Sequence, residues 1–193
     1  MVKLILASNS PRRKKILTDM GIDFTVVPSN YDEKLDSDDF YYEKIEDLAT
    51  QKCLDVVRRS DKDSLVLAAD TVVVLHNKIL GKPHTKENAF DMLKLLSGQT
   101  HSVVTAICGI NTKTNRAATI STTSFVRFTP WTDEMIHYYI DNFNPLDKAG
   151  SYGIQELPDG YLDKYEGSFE NIVGLSPESV KSVLEKLDFY VQK

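Results

Sequence analysis

Two segments of the chain open with Ser-Pro, and they continue in opposite ways. Ser176-Pro177 is followed by Glu178, the charge that the positive end of a helix dipole favours. Ser10-Pro11 is followed by Arg12, Arg13, Lys14 and Lys15, cations that the same dipole disfavours by roughly 0.3–1 kcal/mol each. Such an arrangement makes sense where an anion is bound. A helix N-terminus offers free backbone N–H groups, Ser8 and Ser10 add hydroxyls, and the forks of Arg12 and Arg13 match phosphate. Lys14 and Lys15 read as a solvated face. Asp70 is the second unusual residue, because it falls between LVLAA and VVVL. A carboxylate in apolar surroundings must find a metal, a cation or donors. It therefore reads as a metal ligand or a general base, the plainer alternative being a kink at Asp70-Thr71 between two shorter strands. Asp32 and Glu33 offer nearby carboxylates in a polar loop that is otherwise a solvated turn. Lys52, inside LATQKC, and Lys82, in a GKP turn, are lysines in restrictive settings, though either alone would be an ordinary surface residue.

The segment DKAGSYGIQ combines backbone freedom at Gly150 and Gly153 with Gln155, whose amide both donates and accepts, as reading a base edge requires. It lacks the spacing of a phosphate loop or a dinucleotide fingerprint. The four histidines show no ligand spacing, no G-x-S-x-G elbow is present, and neither Cys53 nor Cys108 has a base partner, so nucleophilic hydrolysis is unsupported. Taken alone, these residues suggest a phosphorylated ligand held by Arg12 and Arg13, with carboxylates able to recruit Mg²⁺. The implied chemistry is phosphoryl or nucleotidyl transfer.

The elements that must position these groups can be read from pattern. The chain has 193 residues, 41% of them hydrophobic, enough to close a core, and a net charge of -5 makes it a poor general binder of nucleic acid. Two scattered cysteines fit reduced core residues and a cytoplasmic setting better than a disulfide framework. The apolar run Leu4 to Ala7, with basic residues after it, is no secretory signal, and no stretch approaches the roughly 18 apolar residues of a membrane span. Residues 2–7 read as a strand, and Ser-Pro at 10 and 11 opens a helix closed by Gly21. A second strand is expected over 23–28, then a long helix to about Arg59. Residues 65–75 read as a buried strand interrupted at Asp70-Thr71, followed by a turn at 76–78. Thr85 caps a helix to Leu96, residues 101–111 and 117–129 form an antiparallel pair, and Thr132 caps a helix to about Asn142. A loop over 144–159 precedes the last helix at Ser176. No repeat or linker divides the chain, so one two-lobed domain over 1–193 is expected, of α/β class around a long mixed sheet.

The blocks LASNSPRRKKIL, LATQKC, AADTVVVL, GKP, MLKLLSGQTHSVVT, DKAGSYGIQ and NIVGLS, in that order from Leu6 to Ser176, resemble the Maf family of nucleoside triphosphate pyrophosphatases. The resemblance implies a long mixed sheet with flanking helices in two lobes around a central cleft, similar to inosine triphosphate pyrophosphatases. It implies hydrolysis of nucleoside triphosphates to the monophosphate and pyrophosphate with Mg²⁺ or Mn²⁺, by a homodimer. Residue by residue, the family's phosphate-binding segment falls on Ser8, Ser10, Arg12 and Arg13, its acidic loop residue on Glu33, its lysines on Lys52 and Lys82, and its proton-accepting aspartate on Asp70. Glu33 and Asp70 are the expected metal ligands, although Glu33 would serve equally to position water. Arg12, Thr71 and Gln155 match the branch resembling dTTP/UTP pyrophosphatases rather than the sister branch acting on 7-methyl-GTP. Gln155 and Thr71 are then expected to read a pyrimidine edge. Ser176 stands where the family usually has Pro, and Phe169-Glu170 replace Tyr-x before Asn171, departures confined to the last loop. Two other readings remain open at this level: a non-catalytic nucleotide sensor or division regulator, since the family has been associated with septum formation, and a nucleotidyltransferase, for whose second substrate no motif is present.

Overall fold

The computed structural model describes residues 2–32 and 37–189. Its centre is a mixed sheet of β1 (Lys3–Leu6), β2 (Thr25–Val26), β3 (Ser64–Leu75), β4 (Lys78–Leu80), β5 (Thr100–Asn111), β6 (Arg116–Phe128) and β7 (Leu162–Glu166). The strand order is β2-β1-β3-β5-β6-β7. β1 runs parallel to β2 and β3, and the pairs from β3 to β7 are antiparallel. The helices are α1 (Pro11–Asp19), α2 (Tyr42–Val57), α3 (Lys86–Leu96), α4 (Asp133–Asn142), α5 (Phe169–Val173) and α6 (Pro177–Lys186).

β3 corrects one expectation from the sequence. It runs unbroken through the middle, with Asp70 opposite Ala106 and Thr71 opposite Thr105 on β5. The interruption lies instead along its other edge. β1 pairs with residues 64–67 of β3 and β4 with residues 73–75, which leaves the edge bare between them. A carboxylate is tolerated inside this strand because Asp70 lines a cavity and pairs with Lys52. The short hairpin to β4 is legible in the sequence only as a turn: His76 and Asn77 both take positive φ, 49° and 63°, as a tight primed turn requires.

Alternation along β3 divides the core. Val66, Ala68, Val72 and Val74 pack against Ile45, Leu48, Ala49, Cys53 and Val56 of α2. On the opposite face Leu65, Leu67 and Ala69 meet α1 and α6, whereas Val73 and Leu75 meet α3, α4 and an aromatic group that includes Phe128, Trp131 and Tyr139. The two clusters on that face part at Thr71. By the same period of two, Asp70 belongs to the α2 face and Thr71 to the other. Cys53 and Cys108 are free and buried, as expected of reduced core residues. Among the described residues no helix is long and apolar enough to cross a membrane.

Candidate active site

A cavity of about 440 Å³ opens beside the bare edge of β3. Ser8, Ser10, Arg12 and Arg13 reach it from the start of α1, Lys52 from α2, and Asp70 and Thr71 from β3. Lys82 and Gln155 complete the set from the turn after β4 and from the loop after α4. Glu33, expected as a metal ligand, lies outside the described residues.

The two Ser-Pro helix starts are built alike. Ser10 Oγ accepts from the backbone N–H of Arg13 and Ser176 Oγ from that of Ser179. Their first turns differ in charge: α1 has no acidic residue there, whereas α6 has Glu178. Arg13 turns back across the cavity floor. Its Nε donates to Gly174 O at 2.9 Å, Nη1 to Ser8 Oγ at 3.3 Å and Nη2 to Thr71 Oγ1 at 3.0 Å. Thr105 donates its hydroxyl proton to Asn171 O, and Thr71 Oγ1 lies 2.9 Å from Thr105 Oγ1 and 3.4 Å from Gly174 O, the two acceptors its own proton reaches. The chain Arg13 to Thr71 to Thr105 to Asn171 thus fixes a planar cation by directional bonds. It also engages the Thr71 hydroxyl, expected to face a base, with the phosphate-binding arginine. Arg12 is held more loosely, its Nη1 4.0 Å from Asp147 Oδ2.

Lys52 and Asp70 form an ion pair through Asp70 Oδ1, with side chains only 11% and 7% exposed. Helical spacing explains how a lysine comes to be there. Ile45, Leu48, Ala49, Lys52, Cys53 and Val56 form one buried stripe of α2, so Lys52 points at the sheet, where Asp70 meets it from the same face. Lys82 stays exposed at the rim. Lys148, which the sequence does not single out, is a further cation in the wall, 6% exposed, with its Nζ bonded to Asn144 O and 3.2 Å from Asp147 Oδ1. Its only signal is membership of DKAGSYGIQ, in which the glycines and Gln155 are the conspicuous residues. Gly150 in that loop has φ +68°, its N–H donates to Gly81 O, and a Cβ there would stand 2.7 Å from Val73 Cγ2. Only glycine lets the loop lie this close to β3. Tyr152 lines the cavity and meets His101 Nε2 at 2.7 Å. Burial drives the His101 ring down to about 4, so it is neutral near pH 7.

Arg12, Arg13, Lys52, Lys82 and Lys148 around one cavity make a receptor for a multiply charged anion. Among the described residues no group of three His, Cys, Asp or Glu forms a metal cage. A hard divalent cation shared with substrate phosphates needs only one or two carboxylates from the protein. Asp70, with Oδ1 on Lys52, offers one such oxygen.

The model of the Maf-like protein family matches residues 3–187. A dTTP/UTP pyrophosphatase of Clostridium perfringens is 40% identical over 191 residues, which cover 98% of this chain and 100% of that protein. One from Caldicellulosiruptor saccharolyticus is 41% identical over 196 residues, covering 100% and 98%. A crystal structure of a nucleoside-triphosphatase, dITP/XTP pyrophosphatase, from Mycobacterium abscessus superposes with a TM-score of 0.51 at 14% identity, covering 96% and 95% of the two chains, a likeness of fold. The sheet, the cavity and these matches lead to one conclusion: the chain belongs to the Maf-like protein family.

Proposed function

We propose that the chain hydrolyses nucleoside triphosphates, dTTP and UTP foremost, to the monophosphate and pyrophosphate. The observation that carries this reading is the shared cavity of the Arg13 network and the Lys52–Asp70 pair. Arg12, Arg13 and Lys82 bind the triphosphate, with Ser8, Ser10 and the α1 N-terminus adding neutral donors. Lys52 holds Asp70 by one oxygen. The other takes a proton from water as that water attacks the α-phosphorus, and pyrophosphate leaves in line. A bound Mg²⁺ or Mn²⁺ would be held by Glu33 and a remaining lone pair of Asp70, and would neutralise charge on the phosphate oxygens. The carboxylate and cations then act mainly by position and preorganised field. Gln155 reads the base, and Thr71 shapes the wall beside it while orienting Arg13. The same reading takes residues 1–193 as one domain that works in the cytoplasm as a homodimer without nucleic acid.

A panel of ATP, GTP, CTP, UTP and dTTP, each with Mg²⁺ and with Mn²⁺ and scored for pyrophosphate, tests the proposal. UTP and dTTP are expected to exceed the others by about tenfold or more, since a site built on polar contacts rejects a base that leaves them unpaired. Equal rates across the panel would remove the pyrimidine assignment, and no pyrophosphate from any nucleotide would leave a binding protein in place of an enzyme.

A further inference from the structure

Gln155 is exposed at the cavity wall, and its Nε2 lies 3.3 Å from Glu156 Oε1. A carboxylate paired with a lysine accepts and does not donate, so the amide end that faces it is the NH₂ end. The carbonyl Oε1 of Gln155 is thereby turned away from Glu156. Glu156 is itself anchored. Its Oε2 is buried and stands 3.1 Å from Lys148 Nζ, an ion-pair contact too poorly aligned to count as a hydrogen bond. Lys148 is fixed in turn by Asn144 O and Asp147. The three side chains close over Gly153, where a Cβ would meet Gln155 Nε2 at 2.8 Å, Glu156 Oε2 at 3.2 Å and Lys148 Cε at 3.2 Å. The backbone beneath is tied to α4, because Gly153 N–H donates to the Tyr139 hydroxyl at 3.0 Å.

We infer that Glu156, held by Lys148, is a positioning residue that locks the flip of the Gln155 amide and so sets which base the site accepts. The inference rests on the proposed function, in which Gln155 faces the base. A free glutamine amide rotates to offer either its donor or its acceptor end. Locked as it is here, it offers a carbonyl acceptor. Uracil and thymine carry an N3–H that such an acceptor takes, whereas cytosine presents a bare N3 lone pair that it repels. Selection of UTP over CTP therefore depends on a residue that does not touch the base, through the cost of leaving polar groups mismatched.

The test is the ratio of kcat/KM for UTP to that for CTP, from pyrophosphate release by wild type, Glu156→Gln, Glu156→Asp and Gln155→Ala. Glu156→Gln replaces an obligate acceptor with an amide that turns either way, and Glu156→Asp withdraws the oxygen from Gln155 while keeping the charge beside Lys148. Both are expected to lower the ratio about tenfold, the scale of one hydrogen bond. Adding Glu156→Gln to Gln155→Ala is expected to change the ratio no further. Equal loss on both nucleotides, with the ratio preserved in both Glu156 variants, would reduce Glu156 to a structural role and overturn the inference. A wild-type enzyme with no preference for UTP over CTP would instead remove the base-reading role of Gln155, and the inference with it.

Discussion

Asp70→Asn is expected to lower kcat by about 10²–10⁴-fold, the range that a positioned general base supplies. Asparagine keeps the size of the side chain and can keep an oxygen against Lys52, but it has no basic oxygen to take the proton of water. The ion pair it disrupts is almost wholly buried, and removing one partner of such a pair costs up to about 3–5 kcal/mol. That cost is reduced here because the amide oxygen still accepts from Lys52. The variant should therefore unfold at a lower temperature yet remain folded at 25 °C. Pyrophosphate release measured beside circular dichroism and thermal unfolding separates the two effects. A folded Asp70→Asn protein with kcat within about threefold of wild type would take the proton-accepting role from Asp70.

Arg13→Lys should be nearly as damaging, although it conserves charge. Arg13 bridges Gly174 O, Ser8 Oγ and Thr71 Oγ1 from one rigid plane. A lysine ammonium is a single point on a flexible stem and does not reach all three in that geometry. A loss of about 10²–10³-fold in kcat/KM for UTP is expected, the scale of removing one preorganised donor group from a transition state. Arg12→Lys provides the contrast. Arg12 has a 4.0 Å contact with Asp147 rather than a bidentate seat, so its replacement should cost about tenfold or less. Steady-state kinetics on both variants decides the point, and equally small losses would mean that charge alone, not the hydrogen-bonded plane of Arg13, matters.

How much of this site can be read from the chain varies with the range of the cause. The cap at Ser10, the cations after it and the carboxylate at Asp70 are local anomalies, visible because each violates a short-range preference. Lys52 stands out by its setting, and the structure supplies the physical reason: it occupies one position of an otherwise apolar helical stripe. Asp70-Thr71 reads locally as a break in the strand, whereas the gap belongs to the β1 and β4 pairing along one edge of β3, which no local pattern encodes. The base contact expected of Thr71 comes from the family resemblance, and its place beside Arg13 is not visible in its sequence neighbours. Its bond to Arg13 spans 58 positions and its contact with Thr105 spans 34. Lys148 and Glu156 sit in a loop whose polar residues are ordinary in composition, and only the burial of Lys148 and the contact between the two distinguish them. β4, β7 and α5 are too short for periodicity to reveal.

In the proposed reaction a water activated at Asp70 attacks the α-phosphorus of a triphosphate seated on Arg12 and Arg13, so the oxygen of that water must end in the nucleotide. Hydrolysis of UTP by the wild-type protein in heavy-oxygen water, with the products resolved by mass spectrometry, follows that atom. One labelled oxygen in the uridine monophosphate and unlabelled pyrophosphate are expected. Label in pyrophosphate or orthophosphate, with unlabelled nucleotide, would refute attack at the α-phosphorus.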